Sequence, residues 1–141
     1  MTKDTNYVLF MLNRQRYAVD AADVDEVVQL PELAVVPDAP RYLAGVFDLR
    51  GRIVQVLDLL VWLNQPSGRY LLTDNVIVLR GDGHQFGIIV NEVLDVSTVS
   101  QSGVSLSHMK DEASPAIIRD AVLVQGEIVF LTDLQMLIRC A

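Results

Sequence analysis

Few residues in this chain have the types and spacing for chemistry. His84, His108, Ser107 and the aspartates supply the letters of a hydrolytic triad, in which a histidine takes the proton of a hydroxyl nucleophile while a carboxylate orients the ring. Their placement argues against it. His84 falls in Arg80-Gly81-Asp82-Gly83-His84, which reads as a turn, His108 falls in a polar stretch, and no Gly-x-Ser-x-Gly elbow presents a serine. Two isolated histidines also lack the close spacing of zinc motifs, and a single cysteine, Cys140, excludes cysteine-rich metal sites and disulfide scaffolds. Gly81 and Gly83 form a fragment of a phosphate loop, yet they lie between two strand-like runs, with no helix N-terminus to hold an anion. The expectation is therefore a protein that is not an enzyme, with no catalytic residue, metal or cofactor. Arg50 and Arg52 remain as a local pair of anion donors, which keeps open a groove that takes a small regulatory ligand such as a nucleotide.

Charge and composition narrow the partners. The chain has 141 residues and a net charge of -7, and only Lys3 and Lys110 are lysines. Nucleic-acid surfaces need clustered Lys and Arg, so the expected partners are proteins. Hydrophobic residues make up 51% of the chain, but no apolar run approaches the roughly 20 residues needed to span a bilayer. Lys3 and Asp4, followed at once by a strand-like run, do not resemble a secretion signal. The expected location is the cytoplasm, without direct membrane insertion.

The elements that would position any site are written twice. Gly51, Ile53, Val54, Val56, Asp58, Leu59 and Leu63 return at identical spacing as Gly126, Ile128, Val129, Leu131, Asp133, Leu134 and Ile138. Upstream, Val8-Leu9-Phe10, Tyr17-Ala18-Val19 and Val24 to Val27 match Val76-Ile77-Val78, Phe86-Gly87-Ile88 and Val93 to Val96. Each copy reads as a hairpin, a further strand, a polar connection, a glycine opening a last strand, and an aspartate at the N-cap of a short helix. The repeat predicts an all-β fold: two pseudo-symmetric five-stranded barrels of SH3-like size with short helices, and a groove between them. The expected organisation is one domain over residues 1–141. Subdomain 1 covers about 20–72 and subdomain 2 about 76–141, with the N-terminal strands 7–19 shared or packed alongside.

The stretch from Pro37 to Leu59, with Gly45-Val-Phe-Asp48-Leu-Arg50-Gly51 and Val54-Gln55-Val56-Leu57-Asp58-Leu59, resembles the signature of CheW-like chemotaxis adaptor domains. That signature runs Gly-Val-x-Asn-Leu-Arg-Gly and then Val-x-Pro-Val-x-Asp-Leu. Phe10, Tyr17-Ala18-Val19, Val24-Asp25-Glu26-Val27 and Gly87-Ile-Ile-Val90-Asn-Glu-Val93 extend the resemblance to about residues 7–138. It implies a cytoplasmic scaffold that couples the tips of methyl-accepting chemoreceptors to the regulatory domain of a CheA-type histidine kinase in arrays at the inner face of the membrane. It also implies that the receptor contacts Val24, Glu26 and Arg50, and that the kinase docks on apolar strand and loop residues at one end of a barrel. Gly45, Gly51, Asp58, Gly87, Gly126 and Asp133 are the corresponding turn and motif positions. Asp48, Gln55, Leu60 and Asn91 depart from the usual Asn, Pro, Arg and Asp, which points to altered partner choice, including a divergent adaptor of a type IV pilus or other chemosensory pathway. With Gln55 in place of proline, that strand regains a backbone donor and could pair differently at its edge.

Residue chemistry leaves two roles for the proposed contacts. Arg50 offers a planar fork of donors to a carboxylate on a partner helix, or it braces its own turn by pairing with an internal carboxylate such as Asp48. Glu26 belongs either to a binding surface or to a solvated acidic edge with Asp20, Asp23 and Asp25 that discourages strand pairing. An exposed Val24 amid those acids would favour a binding surface.

Overall fold

A computed structural model describes residues 5–67, 70–81, 83–99, 103–105 and 117–140, with the side chains of 138–140 outside the description. Asp82, Ser107 and His108 lie outside the described residues. Among the described residues there are eleven strands: β1 (Thr5–Leu12), β2 (Gln15–Asp20), β3 (Val24–Gln29), β4 (Leu43–Leu49), β5 (Arg52–Leu57), β6 (Asn75–Arg80), β7 (Gln85–Val90), β8 (Glu92–Val99), β9 (Val104–Ser105), β10 (Ile118–Val124) and β11 (Glu127–Thr132). Two short helices, α1 (Leu59–Trp62) and α2 (Gln135–Cys140), follow β5 and β11.

Residue patterning explains the strand environments. Val76–Leu79 in β6 and Phe86–Val90 in β7 are buried without a break, as expected of strands covered on both faces. By contrast β3 alternates half-buried with exposed positions along its length, the period-two pattern of a strand with one wet face. Three hairpins turn on two residues with positive φ, Asn13-Arg14, Arg50-Gly51 and Gln125-Gly126, the geometry whose twist matches that of the flanking strands.

The strands form a five-stranded sheet of order β3-β6-β7-β5-β4 and a six-stranded sheet of order β8-β1-β2-β11-β10-β9. The repeat is visible down to register. Gln55 in β5 lies opposite Phe86 in β7 in a parallel pair, and Phe130 in β11 lies opposite Tyr17 in β2 in the same way. In each sheet the hairpin comes from one copy of the repeat and its neighbours from the other. The chain accordingly divides into a unit of Met1–Asp23 with Val93–Ala141 and a unit of Val24–Glu92. This division departs from the expected boundaries: residues 76–90 belong with strands 24–57, whereas strands 7–19 do join the later residues. A further correction concerns Gln55, whose strand is no edge but is paired with β4 on one side and β7 on the other.

Each unit has its own core. Tyr7, Leu9, Ala18, Val129 and Leu131 cluster in the first, and Phe47, Val54, Val56, Val76 and Val78 in the second. In each sheet the outer strand of one hairpin, β4 or β10, takes a further backbone partner. Beyond β3, Ala34 exchanges two backbone hydrogen bonds with Val46 of β4, at 2.8 and 3.0 Å. Beyond β8, β9 pairs with β10 at the matching position, Val104 opposite Ala121.

Gly45 is required where Ala34 meets β4, because a β-carbon there would sit 2.8 Å from the Ala34 carbonyl oxygen and 2.9 Å from Leu33 Cβ. Backbone cannot yield as a side chain does. Gly45→Ala is therefore expected to destabilise the protein by about 2–3 kcal/mol, read as a lowered urea midpoint; an unchanged midpoint would show that the Leu33–Ala34 segment can move aside. Gly87 is similarly confined, with Val76 Cγ1 2.6 Å from where its β-carbon would be, whereas the equivalent position in the other unit holds the fully buried Ala18.

Candidate functional site

The site begins with a turn. β4 and β5 are joined by Arg50 and Gly51, with φ of 51° and 87°, and the Asp48 carboxylate accepts from the Gly51 amide at 2.7 Å. Asp48 thus locks the turn through backbone, and Arg50 is left to reach elsewhere. Its guanidinium meets Glu26 of β3, Nη1 donating to Oε2 at 3.4 Å and Nη2 to Oε1. The expected alternative partner, Asp48, is not the one used. The Arg50 side chain is 71% exposed and that of Glu26 29%, so the pair lies on the surface, and its hydrogen bond and charge raise the arginine pKa further. Arg50 stays cationic throughout the range in which proteins fold.

Val24 stands two residues before Glu26, opposite Leu79 of β6. A β-bulge between Val24 and Glu26 takes up Asp25, re-aiming its side chain. Val24 is half-buried, so it neither joins the core nor stands free, while Val27 is 41% exposed and supplies apolar surface nearby on the strand. The structure thus brings Glu26 and Arg50 together, with Val24 on the same strand as Glu26.

Asp25 forms a second polar group. Its carboxylate accepts from Arg80 Nε at 3.4 Å and from Gln85 Nε2, and together with Arg52 and His84 these residues line a cavity of about 360 Å³. Of the two arginines considered as anion donors, Arg52 lines this cavity and Arg50 is engaged with Glu26. His84 is exposed beside the β6–β7 turn. Among the described residues no group of three His, Cys, Asp or Glu side chains is placed to hold a metal, and no helix is long and apolar enough to cross a membrane.

The turn bearing Arg50 leads through β5 to the buried Asp58, which is 4% exposed. Its carboxylate accepts from the Leu60 amide at 3.0 Å, capping α1, and from the hydroxyls of Tyr70, at 2.8 Å, and Ser67. Its own amide donates to Tyr42 O at 2.7 Å, as Asp133 donates to Ile117 O at 2.7 Å. The helix and cap expected at Asp58 are present, and a helix also follows Asp133, which is only half-buried. Neither Ser67 nor Tyr70 is signalled by the repeat, since they fall in the connection where the two copies differ.

Partial burial, and then the bond to Asp58, push the Tyr70 phenol up to about 12 from 10.0. The neutral phenol is thus favoured by folding, and its contribution is complete below about pH 10 and lost as pH rises toward 12. Tyr7 is also raised, first by burial. Tyr70→Phe is therefore expected to flatten, without abolishing, the fall in urea midpoint between about pH 10 and 12. Parallel wild-type and variant curves would show that the Tyr70–Asp58 bond does not carry it.

A family model described as the CheW-like domain matches residues 6–141. The chain belongs to the CheW-like family. Chemotaxis protein CheW of Bacillus subtilis is 33% identical over 99 residues, which are 69% of this chain and 62% of that protein. Chemotaxis protein CheW of Thermotoga maritima is 24% identical over 136 residues, covering 96% of this chain and 89% of that one. The crystal structure of scaffolding protein TtCheW from Thermoanaerobacter tengcongensis superposes with a TM-score of 0.84 at 22% identity, over 96% of this chain and 92% of the other. That similarity establishes the CheW-like fold here. The family resemblance named Glu26 and Arg50 separately as receptor contacts, and the structure adds that the two, 24 residues apart, pair with each other.

Proposed function

We propose that this CheW-like chain is a chemotaxis adaptor that couples the cytoplasmic tips of methyl-accepting chemoreceptors to the regulatory domain of a CheA-type histidine kinase. The family match over residues 6–141 carries the reading, and relatives that share it are named chemotaxis proteins. Glu26 and Arg50 form the polar centre of the receptor surface, flanked by Val24. A guanidinium held out by a rigid two-residue turn can exchange its internal carboxylate for one on a receptor helix at little cost in order. Solvent-exposed Val104, Leu123 and Ile128, each more than half exposed, supply apolar strand surface for the kinase at one barrel. The mechanism is geometric and needs no catalytic group: holding both partners in one assembly passes a change in receptor conformation to the kinase.

Calorimetric titration with the regulatory domain of the kinase from the same organism tests this. Saturable one-to-one binding at micromolar Kd or tighter, about -8 kcal/mol, is expected, because repeated contacts in an array multiply retention. No heat and no complex from a folded sample would overturn it.

A further inference from the structure

We propose that the hairpin of residues 5–20 exchanges between two copies of this chain, each copy's β1 and β2 completing the six-stranded sheet of the other. Exchange between repeats is already built into the fold: β1-β2 sits between β8 and β11, and β6-β7 sits between β3 and β5. Each slot therefore accepts a hairpin from another stretch of sequence, and nothing in the slot depends on that stretch being in the same molecule.

Among the described residues, side-chain contacts that seat the hairpin reach far along the chain. Thr98 Oγ1 donates to Asn6 Oδ1 at 2.7 Å, Arg119 Nη2 to Tyr7 OH at 3.3 Å, Gln15 Nε2 to Ile128 O at 3.3 Å and Thr132 Oγ1 to Ala18 O at 2.8 Å. Parallel pairing of Arg16, Tyr17 and Ala18 with Val129, Phe130 and Leu131 adds to them. A second copy would supply every one of these bonds unchanged. What must change is the link to β3, the helical turn Ala21–Asp23, which has no buried residue and whose Ala22 amide donates to Asp20 Oδ1 at 2.9 Å. Straightening a three-residue turn with no fully buried side chain is a small loss beside a core kept intact. The balance is then set by concentration, closure within one chain winning when dilute and capture by a second copy gaining in proportion to concentration.

The test uses the full chain with Cys140→Ser, Asn6→Cys and Thr98→Cys, refolded at low or high concentration and joined with a short bis-maleimide. Refolding at about 500 µM instead of about 5 µM is expected to raise the dimer-to-monomer ratio by up to roughly a hundredfold, and in the isolated dimer the link should run from chain to chain on denaturing gels. Links that stay within each chain of the dimer, or no dimer at either concentration, would overturn the proposal. Independently, deletion of Ala21 and Ala22 in the otherwise unaltered chain removes the room to turn back, and a dimer by light scattering is expected. A folded, monomeric deletion variant would also refute it.

Discussion

Asp58→Ala is expected to lower stability by about 3 kcal/mol and the melting temperature by roughly 10 °C. The carboxylate does its work at 4% exposure. It caps a helix of only four residues, Leu59–Trp62, and loss of such a cap alone costs about 0.5–2 kcal/mol. It also receives the Ser67 and Tyr70 hydroxyls, and hydrogen bonds to a charged group are each worth about 1.5–3 kcal/mol. Tyr70 is 39% exposed, so water replaces part of that bond and the sum stays well short of the full total. An asparagine at this position would still accept from the Leu60 amide but would offer the hydroxyl donors one neutral oxygen in place of a charged pair, so Asp58→Asn should lose about 1 kcal/mol. Trp62, the single tryptophan, lies on α1 with its ring 4.8 Å from that of Tyr42, and its emission reports this corner directly. Urea unfolding followed by Trp62 emission and by circular dichroism measures both losses. An Asp58→Ala midpoint equal to wild type, or an Asp58→Asn variant weaker than Asp58→Ala, would sink the argument.

The repeat made the two barrels legible, because apolar period, turn glycines and capping aspartates recur at matching spacing and each reports a local requirement of the backbone. Which copy a hairpin joins was not legible. Tyr17-Ala18-Val19 and Phe86-Gly87-Ile88 fit either slot by pattern, since pairing register constrains side-chain alternation and not chain path. That is why the boundary expected near residues 72–76 falls instead at Asp23 and Glu92. Gln55 shows the same limit: a regained backbone donor suggested a freer edge, but a parallel β7 neighbour contributed by the other copy covers it. Family resemblance singled out Glu26 and Arg50 as the positions to test, while their mutual pair was not legible, because an exposed ion pair across 24 residues leaves no periodic trace. Asp25 was read as one acid in a solvated edge, and the bulge that turns it toward Arg80 and Gln85 is invisible without the partner strand.

Arg50→Glu is expected to weaken binding to the receptor tip by about ten- to hundredfold while leaving the melting temperature within about 2 °C of the parent. The two readouts separate because the Arg50 side chain is 71% exposed, and an exposed pair screened by water contributes little to folding. At the interface the same change reverses the charge offered to a carboxylate on the receptor helix and places it beside Glu26, so like charges meet where a fork of donors stood. Two companions distinguish recognition from bracing. Arg50→Gly suits the positive φ of 51° at this position and keeps the turn while removing the guanidinium, so binding should fall although stability holds or rises. Glu26→Arg combined with Arg50→Glu rebuilds the internal pair with its ends exchanged. If the pair merely braces the turn, the double variant recovers binding; if Arg50 is read by the receptor, the double variant stays weak even when its melting temperature matches wild type. Titration of a soluble receptor-tip helical hairpin at two salt concentrations completes the test, since a steered charge contact loses affinity with added salt in the wild type and loses that dependence in Arg50→Gly. Full binding by Arg50→Glu would remove Arg50 from the proposed receptor surface.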